Sequence, residues 1–84
     1  MTNQKVENLN SEIAPIAVSF AKMIGAERYD PTAKEKRQIT AFLAAGYTGA
    51  DIRAALEYVV TREKKRGRSV QTMAYGLPAV KELR

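Results

Sequence analysis

The chain has 84 residues, no Cys, no His and no Trp, and its 14 Lys and Arg against 9 Asp and Glu give a formal charge of +5. That length supports one core and therefore one domain. The missing residue types exclude disulfides, thiolate zinc and a neutral-pH proton shuttle, so stability must come from packing, while the positive balance favours polyanionic partners.

Hydrophobic residues make up 45%, but only four Tyr and two Phe are aromatic. The core must be aliphatic and rich in Ala, which suits closely approaching helices. Residues 1–10 show no periodicity and read as a flexible, solvated lead-in to a single helical domain over 11–84. This polar start lacks a signal-peptide layout, and no apolar run approaches the roughly 20 residues of a membrane span, so a cytoplasmic location without membrane contact is expected.

From Ser11, Ile13, Ile16, Ala17, Phe20 and Ile24 recur at helical spacing and predict a helix to about Gly25, with Pro15 in its first turn. Asp30-Pro31 reads as the cap and first residue of a second helix. Its apolar stripe is Ile39, Phe42 and Leu43, its outer face is Lys34, Glu35, Lys36, Arg37 and Gln38, and its stop is Gly46. Thr48 with Asp51 three residues on resembles a capping box and opens a third helix. That helix carries the clearest stripe, Ile52, Ala55, Leu56, Val59 and Val60, and ends at Gly67. Counting about 100° per residue returns Glu63 and Arg66 to the stripe, so the last turn is expected to overhang the core. Val70, Met73, Tyr75, Leu77, Val80 and Leu83 make the tail too apolar for disorder. Gly76-Leu77-Pro78 splits it into short helical pieces that fold back on the bundle. The fold expected is all-α, a small bundle of three main helices plus one or two short C-terminal helices.

Arg62 to Arg68 (REKKRGR) is the strongest local charge feature, with five basic residues and one acid in seven positions. The helix dipole alone favours cations there by roughly 0.3–1 kcal/mol each. Their density points further, to phosphate contact by Arg62, Lys64, Lys65, Arg66 and Arg68, with Lys81 and Arg84 extending the patch. Tyr58 lies beside this end and is the candidate for base stacking, whereas Tyr47 and Tyr75 suit the edge of the core. Lys34, Lys36 and Arg37 form a looser group that reads as a solvated face. The run Gln38 to Leu56 has the outline of a helix-turn-helix, but its second helix lacks the Asn, Gln and Arg cluster of a base reader.

Ser19-Phe-Ala-Lys22 matches the Ser-x-x-Lys string of some acyl enzymes without any other part of their machinery. Glu12, Glu27, Asp30, Asp51 and Glu57 form no recognisable pair, Asp30 and Asp51 having capping roles, and no glycine-rich phosphate loop is present. No catalytic residue, metal ligand or cofactor is therefore assigned, and the chain is expected to bind rather than catalyse.

Phe20-Ala-Lys-Met-Ile-Gly-Ala-Glu-Arg-Tyr-Asp-Pro, then Glu35 to Leu43, Gly46-Tyr-Thr, Asp51-Ile52, Ala55-Leu56, Tyr75 and Val80 together resemble the DnaD-like replication domain over roughly residues 13–83. The family's closing Trp is absent, and Gly76 and Pro78 interrupt the segment where the family has a continuous helix. The resemblance implies a helical module of a replication or primosome-loading protein of a bacterium, plasmid or phage. Its partners would be DNA, single- or double-stranded, and other replication proteins or further copies of itself. The alternative is a protein-interaction or oligomerisation adaptor whose apolar 70–83 segment docks on a partner and whose basic run only solubilises a helix end.

Overall fold

Helical phase in the sequence becomes five helices in the computed structural model, which describes residues 2–83, with side chains from residue 11 onward: α1 (Thr2–Met23), α2 (Ala33–Ala44), α3 (Gly49–Lys65), α4 (Met73–Gly76) and α5 (Ala79–Leu83). No strand occurs among the described residues, and none of these helices is long and apolar enough to cross a membrane. The architecture is a small all-α bundle. Helix α3 packs against α1, α4 and α5, and α2 packs against α1.

Two expectations at the N-terminus change. Helix α1 starts at Thr2, so it includes most of the segment read as a lead-in, and Pro15 lies inside the helix rather than in its first turn. No Gly or Pro occurs before position 15, so nothing in the backbone stops helix propagation toward the N-terminus. Pro15 is exposed, and its missing N–H removes one rung of the ladder.

Helices α1, α2 and α3 end in the same way. Gly25, Gly46 and Gly67 adopt φ of 72°, 103° and 76°. Each is followed by a residue whose N–H reaches back to the helix's third-last carbonyl, Ala26 to Ala21, Tyr47 to Phe42 and Arg68 to Glu63, at 2.8–3.1 Å. This is the Schellman arrangement, and its left-handed residue favours glycine. At α2 the motif is covered by an edge-to-face pair of Phe42 and Tyr47, 5.4 Å between centroids.

The expected capping box of α3 is present: the Thr48 hydroxyl accepts from the Asp51 N–H at 3.0 Å, and the Asp51 carboxylate accepts from the Thr48 N–H at 2.8 Å. Helix α2 is capped two residues later than expected, by Thr32 rather than Asp30. The Thr32 hydroxyl accepts from the Glu35 N–H at 3.1 Å, and Glu35 accepts from the Thr32 N–H at 3.0 Å. Asp30 instead forms an exposed ion pair with Arg28 at 3.0 Å.

Glu35 corrects a further expectation, because it belongs to the interior and not to the outer face, with 2% of its surface exposed. Its carboxylate receives the Tyr29 hydroxyl at 2.8 and 2.9 Å and the Ala74 N–H at 2.8 Å, and the Tyr29 oxygen accepts from the Met73 N–H at 3.1 Å. The N-cap of α4, Thr72, makes no side-chain cap of its own. The orphan N–H groups of that short helix are satisfied across the fold instead, which binds the tail to α2. Burial raises the Tyr29 phenol pKa, against the Met73 N–H that lowers it, and Glu35 raises it further, so the hydroxyl stays a donor.

The core is aliphatic as expected: Ile13, Ile16 and Phe20 from α1, Ile39 from α2, Ile52, Leu56 and Val59 from α3, and Met73, Leu77 and Val80 from the tail. Burying a side chain of this size contributes about 1.5–3 kcal/mol. The tail does fold back on the bundle. Gly76 permits it, since a Cβ there would stand 3.0 Å from Leu56 Cδ2 and 3.5 Å from Val59 Cβ.

Candidate nucleic-acid interface

The basic segment is the last turn of α3 and the turn that follows it. Arg62, Lys64 and Lys65 occupy the negative end of the helix dipole, and Gly67 reverses the chain so that Arg68 returns over that end.

Glu63 organises the segment. It lies on the apolar stripe, as helical counting placed it, but the end of α3 does not overhang the core, because Glu63 is covered and only 1% exposed. One carboxylate oxygen accepts from Arg62 Nε at 3.0 Å and from Arg66 at 3.3 Å; the other accepts from the Tyr75 hydroxyl at 3.1 Å and from Arg68 at 3.5 Å. Arg66, expected on the stripe, is exposed, and its guanidinium reaches the Glu63 carboxylate from outside. Burial by itself raises the Glu63 carboxyl pKa. The hydrogen bonds from Arg62 and Tyr75 and the charges of Arg62 and Arg68 outweigh it and hold the group below the usual carboxylate value.

Three arginines are thus gathered on one carboxylate. Their side chains keep 34%, 59% and 67% of their surface, and a guanidinium has five N–H donors, so each retains donors for a second acceptor. Lys64 and Lys65 are exposed and form no ion pair with a carboxylate among the described residues.

Two depressions flank this end. The larger, about 560 Å³, is an open groove along the outer face of α3, where Glu57, Tyr58, Thr61, Arg62, Lys65 and Arg66 meet solvent. Tyr58 is 49% exposed, as a stacking platform requires, but the Arg62 guanidinium already sits 5.7 Å from its ring centroid. The smaller, about 370 Å³, lies where the end of α1, α3 and the turn after α3 meet. Lys22, Lys64, Arg68, Ser69 and Gln71 line it over an apolar floor that includes Ile24 and Val60.

The predicted residues therefore divide. Arg62, Lys65, Arg66 and Tyr58 share the groove, while Lys64 and Arg68 face the cleft. Lys81 is exposed on α5 and lines neither depression, and Arg84 lies outside the described residues. Tyr47 lies at the core edge as expected. Tyr75 does not: 52% of it is exposed, and its hydroxyl closes over Glu63. Sequence reasoning missed Lys22, which stood out only as part of an isolated Ser-x-x-Lys string. Among the described residues no group of three or more Asp or Glu gathers as a metal site would require.

No protein family, curated protein or solved structure matches this chain. Its class is set by the fold alone, a small all-α bundle with a basic helix end.

Proposed function

We propose that this chain is a non-enzymatic DNA-binding module of the DnaD-like kind, acting in the cytoplasm in DNA replication or in the maintenance of a plasmid, phage or other mobile element. Arg62, Arg66 and Arg68, fixed around buried Glu63 with Lys64 and Lys65 free beside them, form the phosphate-contacting surface. That array is the observation that carries the reading: a flexible charged helix end pays side-chain entropy on binding, whereas cations already oriented by a carboxylate pay less. Contacts of this kind bind the nucleic-acid backbone without reading bases.

The apolar side chains that an adaptor would offer to a partner are spent within the chain, since Val70, Met73, Leu77, Ala79 and Val80 are all buried. A docking role for the tail would have to work through what stays exposed there, chiefly Tyr75 and Leu83.

The test is fluorescence anisotropy of labelled single-stranded and duplex DNA at several salt concentrations. Five neutralised phosphates give a log–log salt slope of about −4.5 on duplex and about −3.5 on a single strand. Lys65→Glu, at a side chain that pairs with no carboxylate, should weaken binding roughly tenfold with the helical signal intact. Absence of binding at low salt, or an unchanged affinity in Lys65→Glu, would sink the reading and leave a protein partner as the object of search.

A further inference from the structure

The small cleft differs from the rest of the basic surface in one respect: three cations from three separate elements line it, Lys22 from α1, Lys64 from α3 and Arg68 from the following turn, and no carboxylate does. Lys22 and Lys64 form no ion pair among the described residues, and Arg68 is tied by a single guanidinium nitrogen to Glu63. The Ser69 hydroxyl and the Gln71 amide add neutral donors. The backbone N–H groups of Ser69, Val70 and Gln71 bond to no acceptor among the described residues.

The ordinary account of cations here is that α1 and α3 both end at the cleft and need their dipoles neutralised. Each helix end carries about half a negative charge, so two ends absorb roughly one of the three positive charges. About two remain. A phosphodiester carries one negative charge, whereas a phosphate monoester carries about 1.5–2 at neutral pH. The volume, about 370 Å³, falls within the roughly 300–1,000 Å³ of small-ligand pockets. The apolar floor of Met23, Ile24, Val60 and Val70 suits whatever carbon skeleton bears the phosphate.

We propose that this cleft is a seat for a phosphate monoester, held by Lys22, Lys64 and Arg68 with Ser69 as a neutral donor. On the DNA-binding reading, the monoester is the terminal phosphate of a strand, and the seat makes the module prefer strand ends to continuous backbone. Off that reading, the same chemistry takes a free phosphate ester.

The experiment compares a single-stranded oligonucleotide with and without a 5′-phosphate by anisotropy, together with amide chemical-shift mapping against inorganic phosphate and adenosine monophosphate. The phosphorylated strand should bind roughly tenfold tighter, with the gain lost in Lys22→Gln and kept in Lys34→Gln on α2. Lys22 is exposed and outside the core, so its replacement spares the fold. Saturable shifts at residues 22–25 and 68–71 with the monoester, alongside no binding of either oligonucleotide, would support the seat while overturning the DNA reading. Equal affinity for the two oligonucleotides together with no localised shifts would overturn the seat, even where both strands bind.

Discussion

Glu35 and Glu63 are the two buried carboxylates among the described residues, and they have opposite kinds of partner. Glu35 is surrounded by neutral donors, one phenol and two backbone N–H groups, and no ion-pair partner of it exists among the described residues. Glu63 is surrounded by three guanidinium groups and a phenol. Burial of a charge therefore does not by itself mark a functional site; the donors decide. Neutral donors drawn from distant backbone make Glu35 a clasp between α2 and the tail. Partly exposed cations drawn from one segment make Glu63 the anchor of a surface that still faces solvent.

The comparison breaks most easily at Glu35. Glu35→Ala leaves the N–H groups of Thr32 and Ala74 and the Tyr29 hydroxyl without their acceptor, and an unsatisfied buried donor costs about 1–3 kcal/mol. The loss should be about 3 kcal/mol or more by urea denaturation, a large part of the stability of a domain this small. A loss under about 1 kcal/mol would mean that water replaces the carboxylate and that the clasp is not what fixes the tail.

Glu63→Gln should behave differently, removing at neutral pH the stability that the ionised carboxylate contributes and at the same time changing the charge of the segment. It removes the one acid of the basic segment while keeping an amide oxygen to hold the arginines, so affinity for DNA should rise a few-fold at low salt, and the gain should fade as salt is added. The pH dependence follows from the lowered pKa of Glu63. The unfolded chain binds the proton more readily than the folded one, so stability from this group is complete above the ordinary glutamate value and is lost as pH falls toward the lower folded value. Glu63→Gln should flatten that acid limb of the stability profile. An unchanged limb would remove the ion cluster from the account of the site.

Much of the frame was legible in the sequence because it rests on local chemistry. Gly25, Gly46 and Gly67 stop helices, and Thr48 with Asp51 starts one, through atoms only a few residues apart. The misread positions depend on residues far along the chain. Helical counting put Glu35 on a polar face, since nothing near it announces that Ala74 returns to donate to it and Met73 to donate to its partner Tyr29. Counting did put Glu63 on the apolar stripe, but the reason it can stay there is Tyr75, which itself looked like core until its hydroxyl found a buried acceptor. Lys22 escaped notice for the same reason, being joined to Lys64 and Arg68 only by the packing of α1 on α3.

The finest test of the contrast deletes the same atom at both carboxylates. Tyr29→Phe removes a half-buried hydroxyl that donates to Glu35 and accepts from the Met73 N–H, so two polar partners lose a bond, and the cost should be about 1–2 kcal/mol. Tyr75→Phe removes a hydroxyl from a ring that is 52% exposed, and the acceptor it leaves behind still has three arginines, so the cost should be under about 1 kcal/mol. Equal costs would mean that the arginines do not substitute for a lost neutral donor. Glu63 would then be a second structural clasp, and the cations around it would be consumed by the fold and not presented to a ligand.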